Sequence, residues 1–372
     1  NVAQENFKAT IPFKYVMGWI VLEVEIEHKN YNFLLDTGSA NILTSELAEE
    51  LNSTVIGNEE VSDINNKKNS TKYTKINSIK IGGIDFQETI AGIVNLNKVT
   101  EISCTKIDGI IGANLMRKAV WNFDFQKQLI TITNDENNLD IANEAIESKM
   151  YIGTAGVPSV TLKINGKKTL NNTIDFGNSG SNLMMRSDYF QKQLDAKLID
   201  IYITGNGKAF GAFGNSESKP FYNTIINELV IGNHTTNNIF TSIRSGSGNN
   251  LGLEFFKNYR VILNWKKKKI KMIEITKAGN DSFNTFGFST VYEKEKGVCV
   301  NNIIENSNAA KFLENGDVIK KINNTSFLNG NIEEHSNYLS SENSKKNLAS
   351  ISIAVLRNNI ELKFRIDKSS LL

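Results

Sequence analysis

Apolar and polar residues alternate along Tyr15 to Glu27 with the two-residue period of a strand that buries one face, and Lys29-Asn30-Tyr31-Asn32 then supplies a polar turn. Behind the turn, Phe33-Leu34-Leu35 is an unbroken apolar run, the pattern of a buried strand, and it stops abruptly at Asp36-Thr37-Gly38-Ser39. Ser45 to Leu51 has the spacing of one short helix, with Ser45 as its N-cap. Val61 to Ile64 and Tyr73 to Ile81 flank a polar tip at Asn65 to Ser70, which predicts a hairpin that either projects as a flap or is ordinary surface. Ile79 to Gly83 is a strand closed by glycines, and Phe86 to Val94 returns from it. An apolar pair held between glycines, Gly109-Ile110-Ile111-Gly112, leads into a short helix through Lys118. Trp121 to Phe125 and Leu129 to Thr133 then predict a closing hairpin around Gln126-Lys127-Gln128.

The order then repeats. Ser159 to Ile164 with the turn Asn165-Gly166 stands for the first hairpin, and Asp175 follows Asp36 by 139 positions. Tyr189 to Leu194 stands for the helix, Leu229 to Gly232 for the glycine-closed strand, and Tyr259 to Ile275 for the last hairpin. Asn250 to Phe256 matches the apolar-glycine segment: 76 positions separate Asp36 from Gly112, and 77 separate Asp175 from Gly252. Order and spacing kept together point to an internal duplication. A carboxylate at the end of a buried strand needs donors close by, because burying it unpaired is costly. Thr37, Gly38 and Ser39 offer two hydroxyls and a sharply turning backbone; Gly177, Ser179 and Ser181 stand in the corresponding stretch after Asp175. One such turn closes many hairpins, but two in register suggest two acids at one site.

Composition narrows the chemistry. At 372 residues the chain has length for two or three domains, and 40% apolar and 22% charged residues with a net charge of +2 indicate neither disorder nor a basic nucleic-acid footprint. The one dense basic run, Lys266 to Lys269, reads as a solvated turn between Val261–Trp265 and Ile270–Ile275. Cys104 and Cys299 fall in separate parts of the chain, which excludes a disulfide framework and a paired-cysteine metal or redox site. His28, His234 and His335 lack ligand-like spacing, so no metal centre or histidine triad is expected. No apolar run reaches the ~18 residues of a membrane span. The chemistry is expected to rest on carboxylates.

The acid-Thr-Gly-Ser turn, the Ile-Ile-Gly segment downstream and their repetition resemble the aspartic proteases, in a compact bacterial retropepsin-like form, over about residues 10 to 276. The resemblance implies a mainly β chain with two retropepsin-like lobes in a pepsin-like bilobal layout, an N-terminal lobe over 1–145 and a C-terminal lobe over 146–277. It implies Asp36 and Asp175 as catalytic residues, with Thr37, Gly38, Ser39, Gly177, Ser179 and Ser181 supporting the catalytic loops, no cofactor, and a peptide or protein substrate. Two carboxylates a few ångströms apart share one proton and titrate as a unit, which suits water activation without metal or histidine. The second lobe departs from the pattern: Phe176 stands where the family has Thr or Ser, and Asn178 where the first lobe has Ser39. Ser179 and Ser181 are the candidates to replace the lost hydroxyl. Asp108, without a counterpart in the second half, reads as a turn acid, and Gly205 to Gly214 as a flexible flap of the second lobe.

Past Lys277 to Ser282 the character changes. Gly297-Val298-Cys299-Val300 begins a strand through Ile304, Asn308 to Leu313 is a short helix, and Asn315-Gly316-Asp317 leads into Val318 to Asn323. Ile332 to Leu339 is a second helix, and Ile351 to Leu356 with Ile360 to Ile366 a hairpin about Asn358-Asn359. This order resembles a bacterial PDZ domain over 284–372, a PDZ-like β-barrel with two short helices. The resemblance implies that Gly297, Val298, Cys299 and Val300 offer amides to a peptide C-terminus; Cys299 reads as a small apolar residue. The sequence thus supports a monomeric aspartic endopeptidase with a peptide-binding tail. The alternative is a catalytically degenerate protease fold that serves as a peptide-binding scaffold. The start at Asn1 and the habit of the family point to a periplasmic or secreted protein freed of an N-terminal signal.

Overall fold

The structure, a computed structural model, describes residues 1–372 apart from 63, 64, 66, 97–101, 103, 104, 142, 143, 210, 212, 215, 247, 280–282, 328, 329 and 341–347. Cys104, parts of both expected flaps and the linker at 280–282 therefore lie outside the described residues.

The chain is mainly β. In the N-terminal part, β1 (Trp19–Ile26) and β2 (Lys29–Asp36) form the hairpin that delivers Asp36, followed by β3 (Ile42–Thr44) and α1 (Ser45–Glu50). The helix is capped one residue earlier than its sequence suggests: Thr44 Oγ1 accepts the Leu47 amide, 3.2 Å away. Next come β4 (Val55–Ser62), β5 (Lys68–Ile81), β6 (Ile84–Val94), β7 (Gly109–Gly112) and α2 (Ala113–Met116). β7 lies parallel to β2, pairing Asp36 with Gly112, and antiparallel to β3, which in turn runs parallel to β6. The hairpin β8 (Val120–Asp124) and β9 (Leu129–Thr133) closes this part.

The pairing recurs downstream in β10 (Pro158–Ile164), β11 (Lys167–Asp175), β12 (Leu183–Arg186), α3 (Ser187–Asp195), β13 (Ile203–Gly207), β14 (Lys219–Ile231), β15 (His234–Arg244), β16 (Asn250–Gly252) and α4 (Leu253–Phe256). β16 is parallel to β11, setting Asp175 beside Gly252; β12 is antiparallel to β16 and parallel to β15. β17 (Tyr259–Asn264) and β18 (Lys269–Glu274) form its last hairpin, whose turn holds the basic run. β17 pairs antiparallel with β8, so the closing hairpins of the two parts join in one sheet, which also carries β11. A single apolar core joins the two parts, with Trp121, Phe123, Phe176, Phe255 and Phe256 all fully buried in it. Burial on that scale fixes the two strand ends relative to each other.

The C-terminal module has its own core around Val298, Leu313, Ile322, Phe327 and Val355. Its strands β19 (Ser289–Glu293), β20 (Gly297–Asn301), β22 (Val318–Ile322), β23 (Ser350–Arg357) and β24 (Ile360–Asp367) lie in that spatial order, with α5 (Ile332–Ser340) packed on β19 and β20. The short strand β21 (Ile303–Ile304) instead joins β13. Asn358 and Asn359 turn the last hairpin with φ of 50° and 64°, the left-handed pair a two-residue turn demands. Gly297 to Val300, expected as a ligand-binding loop, are instead the interior strand β20, paired with β19 on one side and β22 on the other. Val298, Cys299 and Val300 are at most 1% exposed, and the Val300 amide donates to Asp317 O at 2.9 Å, so this stretch is core rather than a loop presenting amides. Among the described residues no helix is long and apolar enough to cross a membrane.

Candidate active site

Asp36 and Asp175 end β2 and β11, and the turns after them bring the two carboxyls face to face. A Cβ placed on Gly38 would sit 2.8 Å from Asp175 Oδ1 and 3.2 Å from Asp36 Oδ1; one on Gly177 would lie 2.5 Å from Asp36 Cγ. Each turn therefore needs glycine, because a side chain would fill the space in which the acids meet. The strands that pass behind need it as well: a Cβ on Gly112 would come within 2.2 Å of Ala40 C, and one on Gly252 within 2.1 Å of Ser181 O. Matching backbone bonds fasten the two crossings, Ala113 N–H to Ser39 O and Leu253 N–H to Asn178 O, both 2.8 Å.

The surroundings of the acids raise their affinity for protons. Both residues keep some solvent contact, yet the dense protein about the carboxyls makes desolvation the largest influence on each. Asp36 is raised by burial and held back by the Gly38 amide, which donates to its Oδ1 at 2.7 Å, and by the Ser39 hydroxyl buried beside it. Asp175 is raised well above the ordinary value by burial and then by the charge of Asp36, against the amides of Asn178, 3.1 Å away, and Gly177. Two acids this close, both raised, titrate as one coupled pair and not as separate groups.

Thr37 explains how the arrangement tolerates Phe176. Its Oγ1 donates to Ile174 O at 2.7 Å and accepts the Phe176 amide at 2.9 Å, so one hydroxyl braces the opposite loop twice. The second hydroxyl is not replaced: Ser181 Oγ receives Asn178 Nδ2 at 2.9 Å, and Ser179 packs against Gly18. In its place the Phe176 ring, fully buried, makes edge contacts with Phe123, Phe125 and Phe256 at centroid distances of 5.0, 5.5 and 5.3 Å. Thr37→Val, which keeps the shape and removes the hydroxyl, is expected to lower unfolding free energy by about 1–3 kcal/mol in urea titration, while Thr37→Ser stays near the parent. Equal stability of the two variants would contradict this bracing.

Trp19, Asn41, Asn114 and Asn250 support the site and escaped the sequence. Trp19 Nε1 donates to Gly177 O at 2.9 Å, tying the first strand to the second acid's turn across 158 positions. Asn41 Oδ1 accepts the Gly112 amide and its own amide reaches Asn114 Oδ1, both at 2.7 Å; on the other side Asn178 Nδ2 reaches Asn250 Oδ1 at 2.6 Å. A paired Asn near each turn, Asn41 with Asn114 and Asn178 with Asn250, was the available signal. Asp108 stands just before β7, where its Oδ2 accepts the Asn32 amide of β2 at 2.8 Å, a turn acid. Cys299 is buried with its thiol pushed up to about 11 by desolvation.

In the C-terminal module the sequence reading also passed over Phe286-Gly287-Phe288, the turn that precedes the outermost strand β19. Gly287 there has φ +87°, and its carbonyl accepts the Ile304 amide at 2.8 Å. Thr290 on β19 is joined to His335 Nε2 on α5 at 2.9 Å, with the imidazole buried and pushed down to about 4 by desolvation.

Residues 22–115 match the family model for aspartyl protease, a retropepsin-like family. No curated protein matches the chain. The matched stretch covers β2 with Asp36, the β4–β5 hairpin and the Ile-Ile-Gly crossing at Gly112. That similarity suggests a hydrolase acting on peptide bonds.

Proposed function

We propose that the protein is an aspartic endopeptidase with two retropepsin-like lobes, residues 1–145 and 146–277, and a PDZ-like module from 284 to 372. The observation that carries this reading is the meeting of Asp36 and Asp175 around one point about 3 Å from an oxygen of each. Because both acids come from one chain, the site is complete in a single copy. Asp36, charged, takes a proton from a water held between the carboxyls as the water oxygen bonds to the scissile carbonyl carbon. Asp175 gives its proton to the carbonyl oxygen. The resulting diol collapses as Asp36 passes the proton it took to the amide nitrogen, the C–N bond breaks, and a diol hydroxyl returns its proton to Asp175, so the pair regains its starting charge and proton. The PDZ-like module would accept an added peptide strand along the outer edge of β19, next to Phe286-Gly287-Phe288, and not at Gly297 to Val300.

The sign of the pH dependence follows from the shared proton. With both carboxyls protonated the base is lost, and with both ionised the acid is lost, so kcat/KM is expected to be bell-shaped. Burial and mutual repulsion raise Asp175 most, so the alkaline limb lies above the ordinary carboxylate range. The test is a pH–rate profile with peptide substrates in the presence and absence of a pepstatin-like inhibitor. An inhibitor-sensitive bell supports the proposal, whereas cleavage that climbs steadily into the alkaline range rejects it.

A further inference from the structure

We propose that Asn301, in the C-terminal module, is a positioning residue for peptide hydrolysis: it fixes the segment that leaves β13 toward the cleft. The proposal rests on the endopeptidase reading above. Asn301 is 3% exposed and grips both backbone groups of one residue, accepting the Lys208 amide on Oδ1 at 2.9 Å and donating from Nδ2 to Lys208 O at 3.3 Å. The grip sits at the end of a larger joint. β13 pairs with β21, setting Gly205 beside Ile304 and Asn206 beside Ile303, while the Glu305 amide donates to Thr204 O at 2.8 Å and Asn315 Nδ2 to Asn206 O at 2.9 Å. Gly207 lies so close that a Cβ there would meet Asn302 Oδ1 at 2.1 Å, and Lys208 Nζ is paired with Glu293 at the end of β19.

Beyond Lys208 the chain reaches the N-terminal part. Ala209 O accepts Asn65 Nδ2 at 3.3 Å, from the tip of the β4–β5 hairpin. Ala209 is itself locked to Ser216, whose amide donates to Ala209 O at 2.8 Å and whose Oγ accepts the Ala209 amide at 2.9 Å. Phe213 packs on the apolar cluster of Val21, Leu34 and Ile110 that also holds Trp19, and Trp19 ties down Gly177, two residues beyond Asp175. The segment after β13 thus touches the N-terminal part at two points, the hairpin tip at Asn65 and the apolar cluster that holds Trp19. Losing the Asn301 grip frees Lys208 and Ala209 to shift and weakens the seat for an extended substrate, while the carboxyls stay where their own turns hold them.

The test is steady-state cleavage of peptides by the full chain carrying Asn301→Ala, alongside Asn315→Ala, which loosens the same joint from the exposed side and spares the core. KM is expected to rise about tenfold for Asn301→Ala and by a smaller factor for Asn315→Ala, with kcat within about twofold of the parent. Amide exchange along Ile203 to Ala209 should quicken in both variants without a matching change in β2 or β11. If the parent cleaves with dependence on Asp36 and both variants keep its KM, or if kcat falls while KM holds, the positioning role is wrong and the endopeptidase reading stands. A parent that cleaves nothing removes that reading, and the positioning role with it.

Discussion

Replacing Asp36 or Asp175 with Asn is expected to lower kcat/KM for peptide cleavage by about 10²–10⁴-fold, and replacing both is expected to cost no more than replacing one. The amide keeps the size of the carboxyl and an oxygen that can accept the Gly38 or the Asn178 amide, so the turns have no reason to move. What disappears is the exchange of a proton between two groups that act as a unit. Initial rates of the parent, the two single variants and the double variant settle the matter, with near-ultraviolet circular dichroism as the check on folding. Losses that multiply in the double variant would show that the acids work separately and that the shared-proton pair is wrong.

Phe176→Ala is expected to lower the free energy of unfolding by about 3–5 kcal/mol, the usual cost of emptying a buried aromatic position. The ring has no solvent exposure and touches three other phenylalanines drawn from both halves of the shared core: Phe123 and Phe125 before it, Phe256 after it. A cavity there opens within the core that joins the two parts, where β8 and β17 pair. Phe176→Leu refills most of the volume and should lose much less. Urea unfolding of the two variants measures the difference. An alanine variant as stable as the parent would mean that the aromatic cluster does not hold the halves together. The departure from Thr or Ser at this position thus has a structural reason: the turn after Asp175 is braced by the hydroxyl of Thr37 from across the site, and its own side chain is free to serve the core.

Local pattern carried much of this into view. The glycines at 112 and 252 mark where a strand must cross behind an acid, and their nearly equal distances from Asp36 and Asp175 foreshadow the registers that the sheets adopt. Two consecutive asparagines at 358 and 359 announce a left-handed turn for the same local reason. Contacts between distant segments left no such trace. Nothing about Trp19 in sequence says that its indole will reach Gly177, and the partners of Phe176 come from β8 with its turn and from α4, whose apolar residues look alike along the chain. The C-terminal module shows the limit most clearly. Gly297 to Val300 has the composition of an apolar loop, but pairing on both sides makes it an interior strand, and the outermost position falls to β19. An apolar run can be buried as a strand or exposed as a binding loop, and only the pairing of its backbone decides which.

The most direct test of the account is cleavage of a diverse peptide library by the full chain from acid to neutral pH, read by mass spectrometry next to Asp175→Asn. The account predicts defined internal cuts by the parent, strongest where one carboxyl of the pair is protonated, and no cuts above background by the variant. Cleavage that survives Asp175→Asn, or a parent that binds peptides and cuts none, would contradict it and leave a protease-like fold that serves as a peptide-binding scaffold.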